Sequence, residues 1–276
     1  MWIAVLSGKG GTGKTTVAAS LAAVMPDCQY IDCDVEEPNG AIFLKPTIEQ
    51  AIPVTVLVPE VDASRCNACG ACAAACQFNA LAATGGKVIV FPEICHHCGA
   101  CTLACPTGAI SETEREIGII ERGQDGNFWH GRLNIGEPVG IPIIQKLKEN
   151  TSREKTAIFD CPPGASCAVV RSLDGVDCCL LVTEPTPFGL HDLKIAVELL
   201  RQLELPGGVV INKADGDSRD IHAFCREAEL PIWLEIPFAA EIAANYARGI
   251  LPVANDTTWA AKFADLYKAL AGRLGR

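Results

Sequence analysis

The sequence predicts an α/β fold: a mostly parallel sheet flanked by helices, interrupted by a small cysteine-rich α+β module. Three observations carry this. A glycine-rich loop, Ser7 to Thr16, separates an apolar run from a helical one. Short apolar runs then alternate with helical stretches along much of the chain, the rhythm of a parallel sheet with crossover helices. Between two such stretches the composition shifts to a pair of cysteine runs with one spacing.

Trp2 to Leu6 reads as a buried strand, and Val17, Leu21 and Val24 recur at helical spacing after the loop. Between them Gly8-Lys9-Gly10-Gly11-Thr12-Gly13-Lys14-Thr15, continued by Thr16, satisfies G-x-x-x-x-G-K-[ST]. Glycines let backbone N–H groups turn toward phosphate oxygens, and the helix N-terminus adds a favourable dipole. In that motif Lys14 reaches the β- and γ-phosphates and the Thr15 hydroxyl ligates Mg²⁺. A second strand, Cys28 to Cys33, delivers Asp32 and Asp34. A later one, Thr156 to Phe159, stops at Asp160-Cys161-Pro162-Pro163-Gly164. Carboxylates at the carboxyl ends of such strands stand where α/β sheets bind ligands. Alone, each of these segments also reads as an ordinary turn.

The rhythm continues to the end. Val176 to Thr183 is a strand in which Cys178 and Cys179 are small core residues. Leu190, Leu193, Val197 and Leu200 mark a helix face. Val209 to Ile211 leads to Asn212-Lys213-Ala214-Asp215, and Ile232 to Ile236 leads to Pro237-Phe238. Trp259, Phe263, Leu266 and Leu270 line one face of a terminal helix. Its basic residues, Lys262, Lys268, Arg273 and Arg276, form a solvated back.

Cys66, Cys69, Cys72 and Cys76 follow C-x₂-C-x₂-C-x₃-C. Cys95, Cys98, Cys101 and Cys105 repeat it and end in Cys105-Pro106. This is the two-cluster bacterial ferredoxin pattern, in which the last cysteine of each run ligates the other cluster. The expected sets are Cys66, Cys69, Cys72 and Cys105 on one [4Fe–4S] cluster, and Cys95, Cys98, Cys101 and Cys76 on the other. Zinc is the competing metal, but four-ligand zinc sites usually pair two doublets. Gln77 stands where proline is usual in the first run.

The loop K-G-G-T-G-K-T, Lys9 to Thr15, resembles the deviant Walker A loop of the MinD/Mrp/nitrogenase-iron-protein class of ATPases. Asp32-Cys33-Asp34 with Pro38-Asn39, and Asp160 to Gly164, resemble that class's second acidic motif and its switch II segment. With the cysteine runs, the chain is similar over essentially its whole length to MinD-superfamily P-loop ATPases carrying an inserted ferredoxin domain. The resemblance implies ATP and Mg²⁺ bound by Gly8, Lys9, Gly10, Gly11, Thr12, Gly13, Lys14, Thr15 and Thr16. It implies that Lys9 reaches a dimer partner's nucleotide and that Asp34 positions the attacking water. Asp32 supports the metal site, and Asp160 holds Mg²⁺ through water. The Gly164 N–H senses the γ-phosphate. Asn212 contacts adenine, and the backbone at Pro237 packs on the base. Asp215 keeps GTP open as an alternative. The implied divisions are 1–60 and 112–276 for the ATPase and 61–111 for the insert, with a hairpin at 118–135 at the junction.

Composition narrows the function classes. The 276-residue chain is 49% hydrophobic with a net charge of −10 and no lysine-arginine run, so nucleic acid is not an expected partner. No apolar stretch reaches membrane-span length, and membrane attachment is not expected. The first strand leads directly into the nucleotide loop, so no signal peptide is expected. Fifteen cysteines in such a chain point to metal ligands in a reducing, cytoplasmic compartment. Three functions follow. The first is an ATPase coupling nucleotide state to electron transfer through the clusters. The second is an iron–sulfur scaffold or carrier for apoproteins. The third is a positioning or assembly ATPase with structural clusters. The expected partners are a second copy or a related ATPase, and a redox or iron–sulfur client protein.

Overall fold

The computed structural model describes residues 1–25, 27–214 and 217–273; Asp215 and Arg276 lie outside them. Its strands are β1 (Trp2–Leu6), β2 (Gln29–Asp32), β3 (Ile48–Val61), β4 (Leu81–Thr84), β5 (Lys87–Val90) and β6 (Ile110–Gly123). They continue with β7 (Phe128–Leu133), β8 (Ala157–Asp160), β9 (Cys178–Thr183), β10 (Gly207–Asn212) and β11 (Ile232–Ile236). Nine of them form one sheet in the order β11-β10-β9-β1-β8-β2-β7-β6-β3. From β11 to β7 all neighbours are parallel, whereas β6 and β3 close one edge in antiparallel register. The central strands β1, β8 and β9 are buried at every residue, as expected for a sheet covered on both faces.

Alternation along the strands assigns the two cores. Ile3, Val5, Ile158, Leu180 and Val210 face the helices Lys14–Ala23 and Thr257–Arg273. Ala4, Leu6, Phe159, Leu181 and Ile211 face Ile141–Glu149, Cys167–Leu173 and Pro187–Gln202. The apolar face of the terminal helix is occupied by the fold: Phe263, Leu266 and Leu270 are buried in the first core. Among the described residues no helix is long and apolar enough to cross a membrane.

The hairpin expected at 118–135, at the junction of the two parts, forms part of the main sheet. β7 lies parallel to β2 through Tyr30↔Phe128 and Asp32↔His130, and it pairs with the second half of β6 from Gly118↔Leu133 to Arg122↔Trp129. β3 is longer than its apolar run, Val54 to Val61, suggests. It starts at Ile48, where four exposed residues are held by pairing with β6 rather than by burial. The β3–β6 pair runs from Ile48↔Gly123 to Val61↔Ile110, past the end of β7, as a two-stranded ribbon. Residues 62–109, with all eight cysteines of the two runs, lie between its ends. In that segment β4 and β5 form a hairpin, and the short helices Ala71–Ala75 and Ala100–Ala104 pack together.

Truncating Phe263, completely buried in the terminal helix, should measure how far that helix belongs to the fold. Phe263→Ala is expected to cost about 3–5 kcal/mol, read as a lower urea midpoint. A helix merely lying on the surface would show less than about 1 kcal/mol.

Candidate functional site

The glycine loop joins the buried end of β1 to the helix Lys14–Ala23. Gly11 and Gly13 have φ of 79° and 89°, left-handed values that side chains resist. A Cβ on Gly13 would come within 2.2 Å of Asn212 Nδ2, and one on Gly8 within 2.3 Å of Asp192 Cβ, so both positions also need glycine for space. Above the loop opens a cavity of about 460 Å³. Residues 9–17, Asp34, Pro163, Asn212, Pro237 and Phe238 line it, with Ile242 and Tyr246 at the apolar end. Of the expected binding residues, Gly8 lies outside this lining. Asp32 and Asp160 lie beneath it, both completely buried.

Strand register brings the charges together. Asp32 at the end of β2 stands opposite Asp160 at the end of β8. Lys14, buried at the start of the helix, donates from Nζ to Asp160 Oδ1 at 2.5 Å and lies 3.9 Å from Asp34 Oδ2. Asp32 accepts the Gly40 and Asp34 backbone N–H groups at 2.9 and 3.1 Å. Tyr30, absent from the sequence-derived site, donates its hydroxyl to Asp160 Oδ2 at 2.7 Å. Burial, and then the charge of Asp160, push the Asp32 carboxyl well above the usual range. Burial pushes Asp34 up to about 6 despite Lys14. Burial works to lower the Lys14 pKa, but Asp160, Asp34 and Asp32 carry it above its ordinary value.

Three expected donors have protein partners in this chain. Asn212 donates from Nδ2 to the Thr12 carbonyl at 2.7 Å, tying the end of β10 to the glycine loop. The Gly164 N–H is bonded to the Ser7 carbonyl at 2.9 Å. Lys9, half-exposed, forms an ion pair with Glu184 of its own chain. Glu184 also pairs with Lys213 at 3.1 Å, and Lys213 Nζ donates to the Gly11 carbonyl. The sequence gives Glu184 no individual role, because nothing local marks it as the residue that meets Lys9.

The cysteine runs converge on two small cavities. One is lined by Cys66, Cys69, Cys72 and Cys105, the other by Cys76, Cys95, Cys98 and Cys101. The two halves share their turns: Ala68 and Gly70 have φ of 54° and 79°, His97 and Gly99 of 56° and 71°, Asn79 and Gly108 of 56° and 59°. Backbone N–H groups point at sulfur in both, Ala80 to Cys76 Sγ at 3.3 Å and Ala109 to Cys105 Sγ at 3.2 Å. Among the described residues no cysteine forms a disulfide, and no group of three His, Cys, Asp or Glu side chains is placed to hold a metal ion.

Comparison with known proteins agrees with this architecture. The CobQ/CobB/MinD/ParA nucleotide binding domain matches residues 3–253. The chain is 32% identical to uncharacterized protein MJ0578 of Methanocaldococcus jannaschii, covering 98% of this chain and 96% of that one. Its fold is similar to the Pyrococcus furiosus cell division ATPase MinD, with a TM-score of 0.60 at 19% identity over 98% of each chain. It is likewise similar to the septum site-determining protein MinD complexed with Mg-ADP from Pyrococcus horikoshii, with a TM-score of 0.59 at 19% identity over 99% and 98%.

The raised Asp34 carboxyl has a consequence for stability. A folded-state pKa of about 6 means that the nucleotide-free folded chain holds this proton more tightly than the unfolded chain does. The resulting stability is present below the unfolded value of about 4 and is lost as pH rises through about 6. Asp34→Asn removes the charge, so it should melt above wild type at about pH 7 and gain nothing at about pH 4. Thermal melts of nucleotide-free protein at both pH values check this.

Proposed function

The chain belongs to the CobQ/CobB/MinD/ParA nucleotide-binding family, and we propose that it is a Mg²⁺-dependent, dimerising ATPase of the MinD/ParA type whose residues 61–111 hold two [4Fe–4S] clusters. Buried Lys14 beneath the glycine loop, held by Asp160 and beside Asp34, is the observation that carries the ATPase reading. Lys14 would take the phosphates as partners in place of Asp160 when nucleotide enters. Thr15, and Asp160 through water, would hold Mg²⁺, with Asp32 supporting the site. When bound, Mg²⁺ neutralises phosphate charge in the transition state. Asp34 Oδ2, at the cavity wall, orients the attacking water. Lys9 leaves Glu184 to reach the partner subunit's nucleotide. The apolar wall of Phe238, Ile242 and Tyr246 suits a purine base, with Asn212 and Pro237 at its edge.

For the clusters, the supporting observation is the division of eight cysteines into two cavities of four, each drawing three from one run and one from the other. The donor chemistry fits, since thiolate sets with backbone N–H groups aimed at sulfur are the usual surroundings of such clusters. A bound cluster would supply one-electron chemistry. Two uses remain. In the first, nucleotide state is coupled to electron transfer toward a redox partner. In the second, the clusters are structural in a positioning or assembly ATPase, which the full-length likeness to cell-division MinD favours. A carrier role fits less well, because ligand sets complete within one chain suit permanent clusters. Redox titration with ADP and with a non-hydrolysable ATP analogue separates the two uses: coupling requires a nucleotide-dependent potential or partner transfer.

Anaerobically purified protein is expected to contain about eight irons and eight acid-labile sulfides per chain. Stoichiometric zinc without broad visible absorption would sink the cluster assignment. Lys9→Ala is expected to lower steady-state ATP hydrolysis by about tenfold or more while leaving nucleotide affinity nearly unchanged, since a trans lysine acts in the transition state of the dimer. Wild-type hydrolysis in that variant would remove the trans role.

A further inference from the structure

Among the described residues, no backbone N–H donates to the Asp160 carboxylate, unlike that of Asp32. One carboxylate oxygen takes Lys14 Nζ at 2.5 Å and the other takes Tyr30 Oη at 2.7 Å. Asp32, its neighbour across the strands, is held by two backbone N–H groups. If Lys14 turns to nucleotide phosphates, Asp160 retains one described side-chain donor, the Tyr30 phenol. A completely buried carboxylate with one donor takes its orientation from that donor.

The chain builds Tyr30 into a fixed arm. It lies two residues before Asp32 on β2, and its register partner on β8, Ile158, lies two residues before Asp160. All four side chains share one face, because strand side chains alternate. Two residues of parallel strand rise about 6.6 Å, which is the reach of a phenol lying along the sheet. The ring is 1% exposed and stacks on Phe128 of β7 at 5.7 Å with planes 13° apart. Gly40 closes the other side: a Cβ there would fall 2.3 Å from Tyr30 Cε1 and 2.4 Å from Oη.

We infer that Tyr30 is the positioning residue of the Mg²⁺ site: its hydroxyl fixes the Asp160 carboxylate so that the opposite oxygen faces the metal once Lys14 has moved. This rests on the nucleotide-site reading above and adds a residue to it. Tyr30 touches neither nucleotide nor metal, so its loss should act on metal affinity and leave metal-free nucleotide binding alone.

Tyr30→Phe deletes one oxygen and keeps the stacked ring. With Mn²⁺ as probe, EPR titration of the ADP-bound protein should show affinity weakened about tenfold, the scale of one hydrogen bond to a charged group. Half-saturating Mg²⁺ for ATP hydrolysis should rise in step, while ADP affinity without metal stays within about twofold. Mn²⁺ affinity within about twofold of wild type in Tyr30→Phe would overturn the inference. So would an equal loss of metal-free ADP affinity, the mark of a general distortion of the loop. A wild-type protein that binds no Mn²⁺ with ADP would instead overturn the nucleotide-site reading itself, and this inference with it.

Discussion

The nucleotide side of the molecule depends on one buried ion pair, Lys14 with Asp160. Taking both charges out of water costs several kcal/mol per ion unless geometry and further hydrogen bonds offset it. The fold supplies those bonds: β2 and β8 end in register, so Asp32 and Asp160 stand side by side, and Tyr30 fills the second oxygen of Asp160. Two aspartates completely buried beside one buried lysine leave the cluster short of positive charge. Burial, and then the charge of Asp160, push the Asp32 carboxyl above its usual range. Under the function proposed above, a divalent cation would supply the missing positive charge and phosphates would give Lys14 an alternative partner.

The same register governs how the cysteine segment is mounted. β3 and β6 are each 14 residues long, and only the second half of β6 is flanked by β7. The rest of the ribbon carries residues 62–109 away from the parallel strands. One strand, β7, stands between this ribbon and β2, which delivers Asp32. Phe128 of β7 stacks on Tyr30. The ribbon thus begins within two strands of the buried carboxylates. Such adjacency establishes contact, and coupling would further require an element with two arrangements.

Within the cysteine segment the two halves solve one geometrical problem twice. A left-handed residue before and after the second cysteine of each run, and another after the fourth, turn the chain around a small cavity. Non-glycine residues occupy three of these six positions, Ala68, Asn79 and His97, where a left-handed φ is costly for a side chain. Only Ala68 and His97 are matched strained positions, since Asn79 corresponds to Gly108 in the second half.

Much of this was legible in the sequence, for a physical reason: the glycine loop, the aspartates at strand ends and the cysteine spacing are local. Each depends on residues within one turn or one strand, and the parallel fold class follows from the alternation of such units. The tertiary structure alone decided what depends on distant parts of the chain. The hairpin after the insert reads as a junction open to either part, and β7 joins the main sheet because β2 offers it an open edge. Asn212 meets Thr12 and Lys9 meets Glu184 only because the loops after β1, β9 and β10 gather at one end of the sheet. Tyr30 reads as one more buried strand residue; its role comes from an aspartate 130 positions away. Spacing along the chain determined which chemistry is available, and strand register determined which groups share it.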